Sequence, residues 1–376
     1  MNDQVAPEIQ LAPGDPAPWF SQNASSGPQV ALDGWAGRYV VLCFFGAARQ
    51  DGARAAIDAA LAHGRLFDDR FACFFGVSID PQDEAELRAR QRLPGVRFFW
   101  DGDRKVSRLY GAVPRQHQRG QGPVSVRQFW IVLDPMLRVL RVFPFAPDGS
   151  DREILFAYLE QLPAPERFAG FEIPPPILIL PSVFEPEFCR RLITLHEAHG
   201  GEETGLVTVV NGKAVQTLDH AIKRRKDFGI GDPAVIAEIK TRLQRRVIPE
   251  MWKAYSFNAT RVERYRIGCY AAEDGGHFRA HRDNMTAGTA HRRLALSINL
   301  NCDFEGGEVS FPEYGPRGYK LPTGGALVFP GALLHAVAKV TRGRRYAFLP
   351  FLYDEAAAAV RERNARAGSG AVVASG

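Results

Sequence analysis

The chain has 376 residues, of which 45% are hydrophobic, 11% aromatic and 24% charged, and its formal net charge is +5. This composition excludes global disorder, and the mild charge argues against a protein that binds mainly to polyanions. With domains of about 150 residues as the usual size, the length predicts two domains.

Five cysteines are scattered singly along the chain, without a CxxC pair. This pattern argues against a disulfide framework or a thiolate metal cage and favours a reducing compartment. The N-terminal segment lacks the basic start and apolar core of a signal peptide, and no apolar run approaches the roughly 18 residues of a membrane span. We therefore predict a soluble, cytoplasmic protein.

Two basic clusters, 223–226 and 342–345, raise the question of nucleic-acid binding. Aromatic residues that would stack on bases are not interleaved with them. We interpret the clusters as solvated loop or helix faces, and we predict that the chain does not bind nucleic acid.

Residues from about 38 to 145 alternate apolar strands with helical segments, which is typical of an α/β sandwich. The predicted strands are 39–45, 71–78 and 128–133, and the predicted helices are 51–63 and 83–92. Ser150 and Glu153 have the spacing of a capping box, which predicts a closing helix up to Leu162. The first domain is therefore predicted over 1–162, followed by a stiff proline-rich linker over 163–178.

The second domain, predicted over 179–356, changes from helices to strands. Pro186 and Gly200-Gly201 mark the ends of a predicted helix, and another begins at Asp232-Pro233 and reaches about residue 255. Short strands separated by glycine and proline follow, at 262–270, 294–300, 307–311, 326–329, 335–340 and 345–352. They predict a compact all-β sandwich or barrel. A short helix and a flexible tail are predicted over 357–376.

One residue separates His281 from Asp283, so on an extended segment both side chains leave the same face and Arg282 points away. His335 lies on a later strand with apolar neighbours, where a buried core histidine is the alternative. Two imidazoles and one carboxylate suit a non-haem Fe(II) centre, which leaves three positions open for an organic cosubstrate and O₂. We predict that the three residues bind one metal ion if their sheets face each other across a narrow barrel.

Arg345 follows a predicted tight turn at 341–343, which would return the chain alongside the His335 strand and pair Arg345 near residue 339. The separation from His335 would then be about 13 Å, at about 3.3 Å per residue. Once the reach of both side chains is subtracted, this gap suits a five-carbon dicarboxylate. The planar fork of arginine binds a carboxylate in bidentate fashion, although a surface arginine is the alternative.

The region 265–353 resembles the 2-oxoglutarate- and Fe(II)-dependent dioxygenase family, in its prolyl 4-hydroxylase-like branch. The resemblance rests on Tyr270 and on the segments 275–283, 300–301, 304–308, 324–329, 335–337 and 343–345. It implies an α+β domain with a double-stranded β-helix (jelly-roll) core. It also implies that His281, Asp283 and His335 hold Fe(II), that Arg345 holds the distal carboxylate of 2-oxoglutarate, and that Tyr270 contacts this cosubstrate.

A further histidine, His277, lies close to the motif. We predict that it is not a ligand, because a fourth protein group would occupy a position that the cosubstrate or O₂ needs.

The activity implied by the resemblance is decarboxylation of 2-oxoglutarate to succinate and CO₂, coupled to hydroxylation of a C–H bond. The substrate would be a protein side chain such as proline or a small molecule, and ascorbate dependence is common in this branch. Nucleic-acid demethylation is disfavoured, because 342–346 does not match the Arg/Asn/Arg signature of that subfamily. The remaining alternative is a non-catalytic binding or scaffold protein with a structural metal, whose N-terminal α/β domain contacts a partner. We expect the loops over 285–292 and 313–320 to determine the substrate, and a homodimer is one alternative for the assembly.

The region 11–145 resembles a peroxiredoxin, which implies an α/β thioredoxin-like fold. The resemblance rests on 13–18, 42–48 and 129–134. The Pro, Thr and Cys of that family's peroxidatic loop fall on Gly46, Gln50 and Ala53 here. A peroxidase needs an exposed thiolate, which Ala53 cannot supply.

Neither Arg127, which matches an active-site arginine of the peroxiredoxins, nor the thiols of Cys43 and Cys73 restore that chemistry. Both cysteines lie within apolar strands, where buried structural thiols are expected. We predict a degenerate domain that serves as a scaffold, a dimerisation surface or a substrate-docking module.

Overall fold

The computed structural model describes residues 10–86, 88–114, 124–210 and 213–370. The chain divides into two compact units, Met1–Pro174 with Pro312–Gly315, and Pro175–Phe311 with Pro316–Gly376. The main division falls within the stretch predicted as a linker. None of the helices in the described ranges combines the length and the apolar character needed to span a bilayer.

Unit 1 is built on one seven-stranded sheet. Its strands are β1 Ser21–Ala24, β2 Gly27–Ala31, β3 Tyr39–Gly46, β4 Ala72–Ser78, β5 Val96–Trp100, β6 Phe129–Leu133 and β7 Val139–Pro144. Its α-helices are α1 Asp51–Ala62, α2 Pro81–Ala85, α3 Lys105–Leu109 and α4 Ser150–Glu160. The strand order is β2-β1-β5-β4-β3-β6-β7, with β3, β4 and β5 parallel and β6 and β7 antiparallel.

The central strands of this sheet carry nearly continuous apolar sequence, and every residue of β3 and β4 is buried. Strands covered on both faces require such sequence. Ile57 of α1 and Phe156 of α4 pack into the same core. The predicted thioredoxin-like α/β architecture is confirmed.

The helix predicted over 83–92 is wrong in its extent. The Asp80 carboxylate caps the shorter helix α2 by accepting a hydrogen bond from the Gln82 N–H. Farther on, the chain turns into an isolated bridge between Arg92 and Val96, which leads directly into β5.

The closing helix α4 is confirmed, but the predicted capping box is not. Gly149 takes the N-cap position with φ +80°, a left-handed conformation that glycine adopts without a steric penalty. The backbone N–H and the hydroxyl of Ser150 both donate to the Asp148 carboxylate instead.

Unit 2 places helices before and after a set of strands. Its α-helices are α5 Pro186–His199, α6 Pro233–Arg246, α7 Ile248–Tyr255 and α8 Glu355–Gly370. Strands β8 to β16 are Leu178–Leu180, Glu202–Glu203, Leu206–Val210, Lys213–Thr217, Lys223–Arg224, Lys226–Gly229, Arg261–Glu263, Arg266–Ala271 and His277–His281. Strands β17 to β25 are Leu294–Asn299, Glu305–Gly306, Val309–Ser310, Gly318–Tyr319, Ala326–Pro330, His335–Val337, Val340–Arg342, Arg344–Phe348 and Phe351–Tyr353.

Two antiparallel sheets make the core of this unit. The larger runs β14-β25-β17-β24-β15-β13-β9, with β21 and β8 attached, and the smaller runs β12-β16-β22-β19-β20. Phe188 of α5, Ile239 of α6 and Met251 of α7 pack with Phe348 of the larger sheet. Each fully buried side chain of this kind contributes about 1.5–3 kcal/mol. The predicted α+β domain with a jelly-roll core is confirmed.

Two expectations for unit 2 need correction. The single helix predicted from Asp232 to about residue 255 is two helices that meet at Val247, because Pro249 in the first turn of α7 has no N–H to continue the ladder. The tail predicted over 357–376 is helical as far as Gly370, and residues 371–376 lie outside the described part of the chain.

Candidate metal and cosubstrate site

Three of the predicted site residues come together at the smaller sheet. His281 at the end of β16 is the register partner of His335 at the start of β22. Asp283 follows β16, where its N–H donates to the Gly331 carbonyl at 2.8 Å. One ligand atom from each of the three side chains lies within 4.8 Å of the others, and in the described residues no other group of His, Cys, Asp and Glu meets this condition.

The prediction that His335 reaches across a barrel from a facing sheet is wrong. The two histidines lie on neighbouring, hydrogen-bonded strands of one sheet. Directly opposite residues of an antiparallel pair hold their Cβ atoms about 4.5–5.5 Å apart. The register of a single strand pair therefore brings the two imidazole rings to a centroid distance of 4.2 Å.

Backbone carbonyls orient both rings. Nδ1 of His281 lies 2.8 Å from the Arg279 oxygen and Nδ1 of His335 lies 3.0 Å from the Leu333 oxygen, so each Nδ1–H donates to a carbonyl. Each Nε2 faces the Asp283 carboxylate, at 3.7 Å for His281 and 3.5 Å for His335. Burial, and then the neighbouring His335, holds the pKa of His281 well below its usual value. Two imidazoles and one carboxylate thus converge, with the hydrogen bonds that commonly support metal ligands.

Arg345 is buried with one donor unused. Its Nη2 donates to the Ser297 hydroxyl at 2.9 Å and to the Asn299 amide oxygen at 3.1 Å, and its Nε donates to the same oxygen at 3.2 Å. Its Nη1 is buried and has no hydrogen-bond partner among the described residues. Burial lowers the pKa of this guanidinium, because neutral partners do not balance its charge. A buried unpaired donor costs about 1–3 kcal/mol, which a bound carboxylate would recover.

The predicted pairing of Arg345 near residue 339 is wrong, because β24 pairs with β15, where Arg345 is opposite Tyr270. The spacing argument from His335 therefore does not hold. Tyr270 is nevertheless in place, with the Arg345 guanidinium 5.4 Å from its ring centroid. Its hydroxyl accepts a hydrogen bond from Arg225 Nη1 at 3.1 Å.

One cavity of about 180 Å³ joins these groups. It is bordered by His281, Asp283 and His335 from the side of the smaller sheet, and by Tyr270 and Arg345 from the larger sheet. The arrangement places the converging side chains and the Arg345 guanidinium around a single cavity.

Two loops were predicted to shape the substrate site. The loop over 285–292 borders the cavity through Met285, Thr286, Thr289 and Arg292, whereas no described residue of 313–320 borders it.

His277 lies apart from the three converging side chains. Its Nδ1 is 2.8 Å from the Gly275 carbonyl oxygen and its Nε2 is 3.3 Å from that of Ala221. Arg282, predicted to point away, donates to the Ala332 carbonyl, although the residue also borders the cavity.

The prediction of a solvated face over 223–226 is wrong for half of the cluster. Lys223 and Arg225 are largely buried and border the cavity. Arg225 forms a bidentate pair with Asp227, through Nε at 2.6 Å and Nη2 at 2.9 Å. The alternation of Lys223, Arg225 and Asp227 was the available signal, since residues two apart share one face of extended chain.

A second carboxylate that the sequence did not single out is Glu263 on β14. It accepts hydrogen bonds from His291 Nε2 at 2.6 Å and Arg292 Nη2 at 2.9 Å, and Arg264 Nε lies 3.0 Å away. Burial alone would raise the pKa of Glu263, but the hydrogen bond and charge of Arg292 and the charge of Arg264 outweigh it and lower the pKa to about 2. Glu263 therefore holds three basic groups at one edge of the cavity.

We expect Glu263→Gln to destabilise unit 2 by about 3–5 kcal/mol at neutral pH, because it breaks a buried ion pair from one side. The pKa of Glu263 is lower in the folded state than its usual value of 4.5, so the charged carboxylate stabilises the fold. This stabilisation is fully present above pH 4.5 and is lost as the pH falls toward 2. The free energies of unfolding of wild type and variant, measured by urea titration, should therefore become more similar as the pH falls from 4.5 to 2.

Glu355→Gln is the matched control, since Glu355 also accepts two hydrogen bonds from one arginine, Arg261, but is exposed. An equal loss of stability in this variant would contradict the assignment of the effect to burial.

In unit 1, the position of the peroxidatic thiol is occupied by a buried alanine. Ala53 lies in α1 and is fully buried, and Gln50 forms the N-cap of that helix without a side-chain cap hydrogen bond. Cys43 and Cys73 are fully buried on β3 and β4. Burial raises the pKa of the Cys43 thiol well above its usual value and that of Cys73 to about 12. The Arg127 guanidinium lies 4.7 Å from the Phe129 ring centroid.

We expect the metal-free full chain to show no thiol-dependent turnover of hydrogen peroxide, because no thiol lies where the peroxidase needs one. The measurement is peroxide consumption with a reducing thiol, with a peroxiredoxin as positive control. Turnover that is lost on alkylation of cysteine would contradict this expectation.

Two sequence profiles match the chain. That of the AhpC/TSA family matches residues 13–136, and that of the 2OG-Fe(II) oxygenase superfamily matches residues 265–353. A family of the second kind uses Fe(II) and 2-oxoglutarate.

Curated relatives match in the same C-terminal region. A PKHD-type hydroxylase of Pseudomonas fluorescens Pf-5 is 42% identical over 90 residues, which is 22% of this chain and 39% of that protein. A PKHD-type hydroxylase of Pseudomonas putida KT2440 is 36% identical over 127 residues, which is 30% of this chain and 54% of that protein. The chain thus spans about half or less of the length of these relatives.

Among solved structures, a Trichoplax adhaerens prolyl hydroxylase in complex with a hypoxia inducible factor peptide fragment covers 49% of this chain and 86% of its own, with 16% identity and a TM-score of 0.39. A yeast mitochondrial 1-Cys peroxiredoxin covers 40% of this chain and 76% of its own, with 19% identity and a TM-score of 0.33. The profile matches carry the assignment: the chain joins an N-terminal domain of the AhpC/TSA family to a C-terminal domain of the 2OG-Fe(II) oxygenase superfamily.

Proposed function

We propose that the protein is a 2-oxoglutarate- and Fe(II)-dependent dioxygenase that hydroxylates a C–H bond and releases succinate and CO₂. The observation that carries the proposal is the cavity that contains both the His281, Asp283 and His335 cluster and the unpartnered Nη1 of Arg345. Metal-ligating atoms alone would suit many metals. A buried guanidinium whose Nη1 has no partner among the described residues favours an anionic ligand, such as a carboxylate, in the same cavity.

The donor set suits Fe(II), because two imidazoles and one carboxylate on one side of an ion leave its other side free for small ligands. Fe(II) with 2-oxoglutarate and O₂ supplies the oxidising chemistry, in which one oxygen atom goes to succinate and the other to the substrate. His281, Asp283 and His335 would hold the metal. Arg345, held by Ser297 and Asn299, orients the distal carboxylate of 2-oxoglutarate, and Tyr270 packs beside the guanidinium.

The finer features of the proposal follow from the family. O₂ is the oxidant, ascorbate supports turnover, and the substrate is a protein side chain such as proline or a small molecule. A reducing, cytoplasmic location is proposed because all five cysteines are free thiols.

The test is succinate formation by the full chain, loaded anaerobically with Fe(II) and then given 2-oxoglutarate and O₂. Uncoupled turnover does not require the substrate, so succinate should appear in its absence and should stop when a chelator removes the metal. Ascorbate should raise the yield. Failure to bind iron and 2-oxoglutarate would reject the enzyme and leave a non-catalytic scaffold protein as the better explanation.

A further inference from the structure

The wall of the cavity is strongly basic. Besides Arg345, it is bordered by the basic residues Lys223, Arg225, Arg264, Arg266, Arg282 and Arg292. Among the described residues that border it, Asp283 is the only one with a carboxylate, and that group is assigned to the metal. Fe(II) and the dianion of 2-oxoglutarate cancel each other's charge, so the proposed cofactors leave this positive charge in place.

Two carboxylates behind the wall do not neutralise it, because each is shared by several basic groups. Glu263 is shared by Arg264 and Arg292. Asp227 is shared by Arg225 and Arg266, with Lys223 Nζ 3.8 Å away. Both clusters therefore retain positive charge that faces the cavity.

Arg264 and Arg266 are the members of this wall that are open to a ligand. Their side chains are 36% and 24% exposed, whereas that of Arg225 is only 11% exposed. The guanidinium of Arg225 already donates hydrogen bonds to Asp227 and to the Tyr270 hydroxyl. The two arginines flank Tyr265, which packs against the apolar core, and both border the cavity. Arg264 has φ +65°, and such backbone conformations concentrate at binding sites.

The lowered pKa values of two basic side chains in this wall agree with an excess of positive charge. Burial, and then repulsion from Arg292, lowers the pKa of Arg264 to about 10. Burial, and then repulsion from Arg225, lowers the pKa of Lys223 to about 7, although Asp227 opposes this. An anion bound in the cavity would offset the repulsion between these positive charges and raise both pKa values.

We infer that the substrate of this oxygenase carries an anionic group, a carboxylate or a phosphate, which Arg264 and Arg266 bind at the edge of the cavity beside the metal. The inference rests on the proposed function, because it identifies the chemistry of the molecule that is hydroxylated. It assigns to the two arginines a role separate from that of Arg345, whose guanidinium serves the cosubstrate. Paired guanidinium groups of this kind bind oxyanions with charge-assisted hydrogen bonds.

The test is calorimetric titration of the full chain, held anaerobically with Fe(II) and 2-oxoglutarate bound. The probes are N-acetylglutamate, inorganic phosphate and the neutral amide N-acetylglutamine amide. The variants are Arg264→Gln, Arg266→Gln and Arg264→Lys. Arg261→Gln is the matched control, because Arg261 is an exposed arginine three residues before Arg264, is paired with Glu355 and does not border the cavity.

We expect at least one anionic probe to bind as an additional equivalent while the neutral probe does not, and the anion that binds identifies the group. Its affinity should fall about tenfold or more in each glutamine variant, remain in Arg261→Gln and be largely restored by Arg264→Lys. Binding of neither anion, displacement of 2-oxoglutarate by the probe, or equal affinity in the variants and wild type would overturn the inference. Failure of 2-oxoglutarate itself to bind in the first step would contradict the proposed function instead.

Discussion

Replacing His281 with alanine is expected to lower the affinity for Fe(II) by about 100-fold or more, since loss of a mere supporting partner of a metal ligand already costs about 10–100-fold. Succinate formation should be abolished with it. The physical reason is that three converging donors are the minimum that leaves an ordered open side on the metal, and a solvent ligand in place of His281 would let the remaining two move. Iron content after anaerobic dialysis and succinate yield measure the two effects separately.

His277→Ala is the matched control, because His277 lies on the same strand β16 and both of its ring nitrogens contact backbone carbonyls away from the cluster. This variant should lose at most about 1–2 kcal/mol of stability and should keep its iron. Loss of iron in both variants would show that the strand rather than the ligand is responsible. Retention of iron and turnover in His281→Ala would contradict the proposed ligand set.

Arg345→Gln is expected to raise the concentration of 2-oxoglutarate needed for half-maximal succinate formation by about 100-fold or more, since removing one partner of a buried ion pair costs about 3–5 kcal/mol. Iron binding should persist, because Arg345 is not among the converging ligands. Arg345→Lys should recover part of the affinity, since an ammonium keeps the charge but not the planar fork. The measurements are 2-oxoglutarate titrations of turnover and of anaerobic binding.

Arg344→Gln provides the matched control on the same strand. Arg344 is exposed and pairs with Glu273 on the surface, so the alternation of β24 turns it away from the cavity. Its loss should leave the affinity for 2-oxoglutarate unchanged. If both variants weaken binding equally, the effect would be one of general charge, and the assignment of Arg345 to the cosubstrate would fail.

The proximity of two of the proposed ligands could be predicted because it depends on local geometry. His281 and Asp283 stand one residue apart on extended chain, and that spacing directs both side chains to one face wherever the strand is placed. The position of His335 relative to them could not be derived in this way. It depends on the antiparallel register of β16 and β22, which is a long-range pairing.

The hydrogen-bond partners and neighbouring strands of Arg345 could not be predicted from local sequence patterns. The side chains that hold its guanidinium, Ser297 and Asn299, lie more than forty residues earlier on β17 and carry no motif. The tight turn after β23 suggested a partner strand, but β24 pairs with β15 and β17 instead. Strand order in an antiparallel sandwich is settled by the packing of whole sheets, which one turn does not specify.

Composition, periodicity and residue type were sufficient for the two-domain organisation, the α/β and all-β characters of the domains, the metal-ligating residue types and the absence of a thiol at residue 53. These properties depend on residues close together in the chain. Burial and charge balance were decided only by long-range contacts. Pairing of β12 with β16 and of β13 with β15 buries Lys223 and Arg225, which looked like a solvated surface in isolation. The same folding leaves Arg345 Nη1 without a hydrogen-bond partner among the described residues and makes Asp227 and Glu263 shared counter-ions. Desolvation depends on neighbours that only the assembled sheets provide.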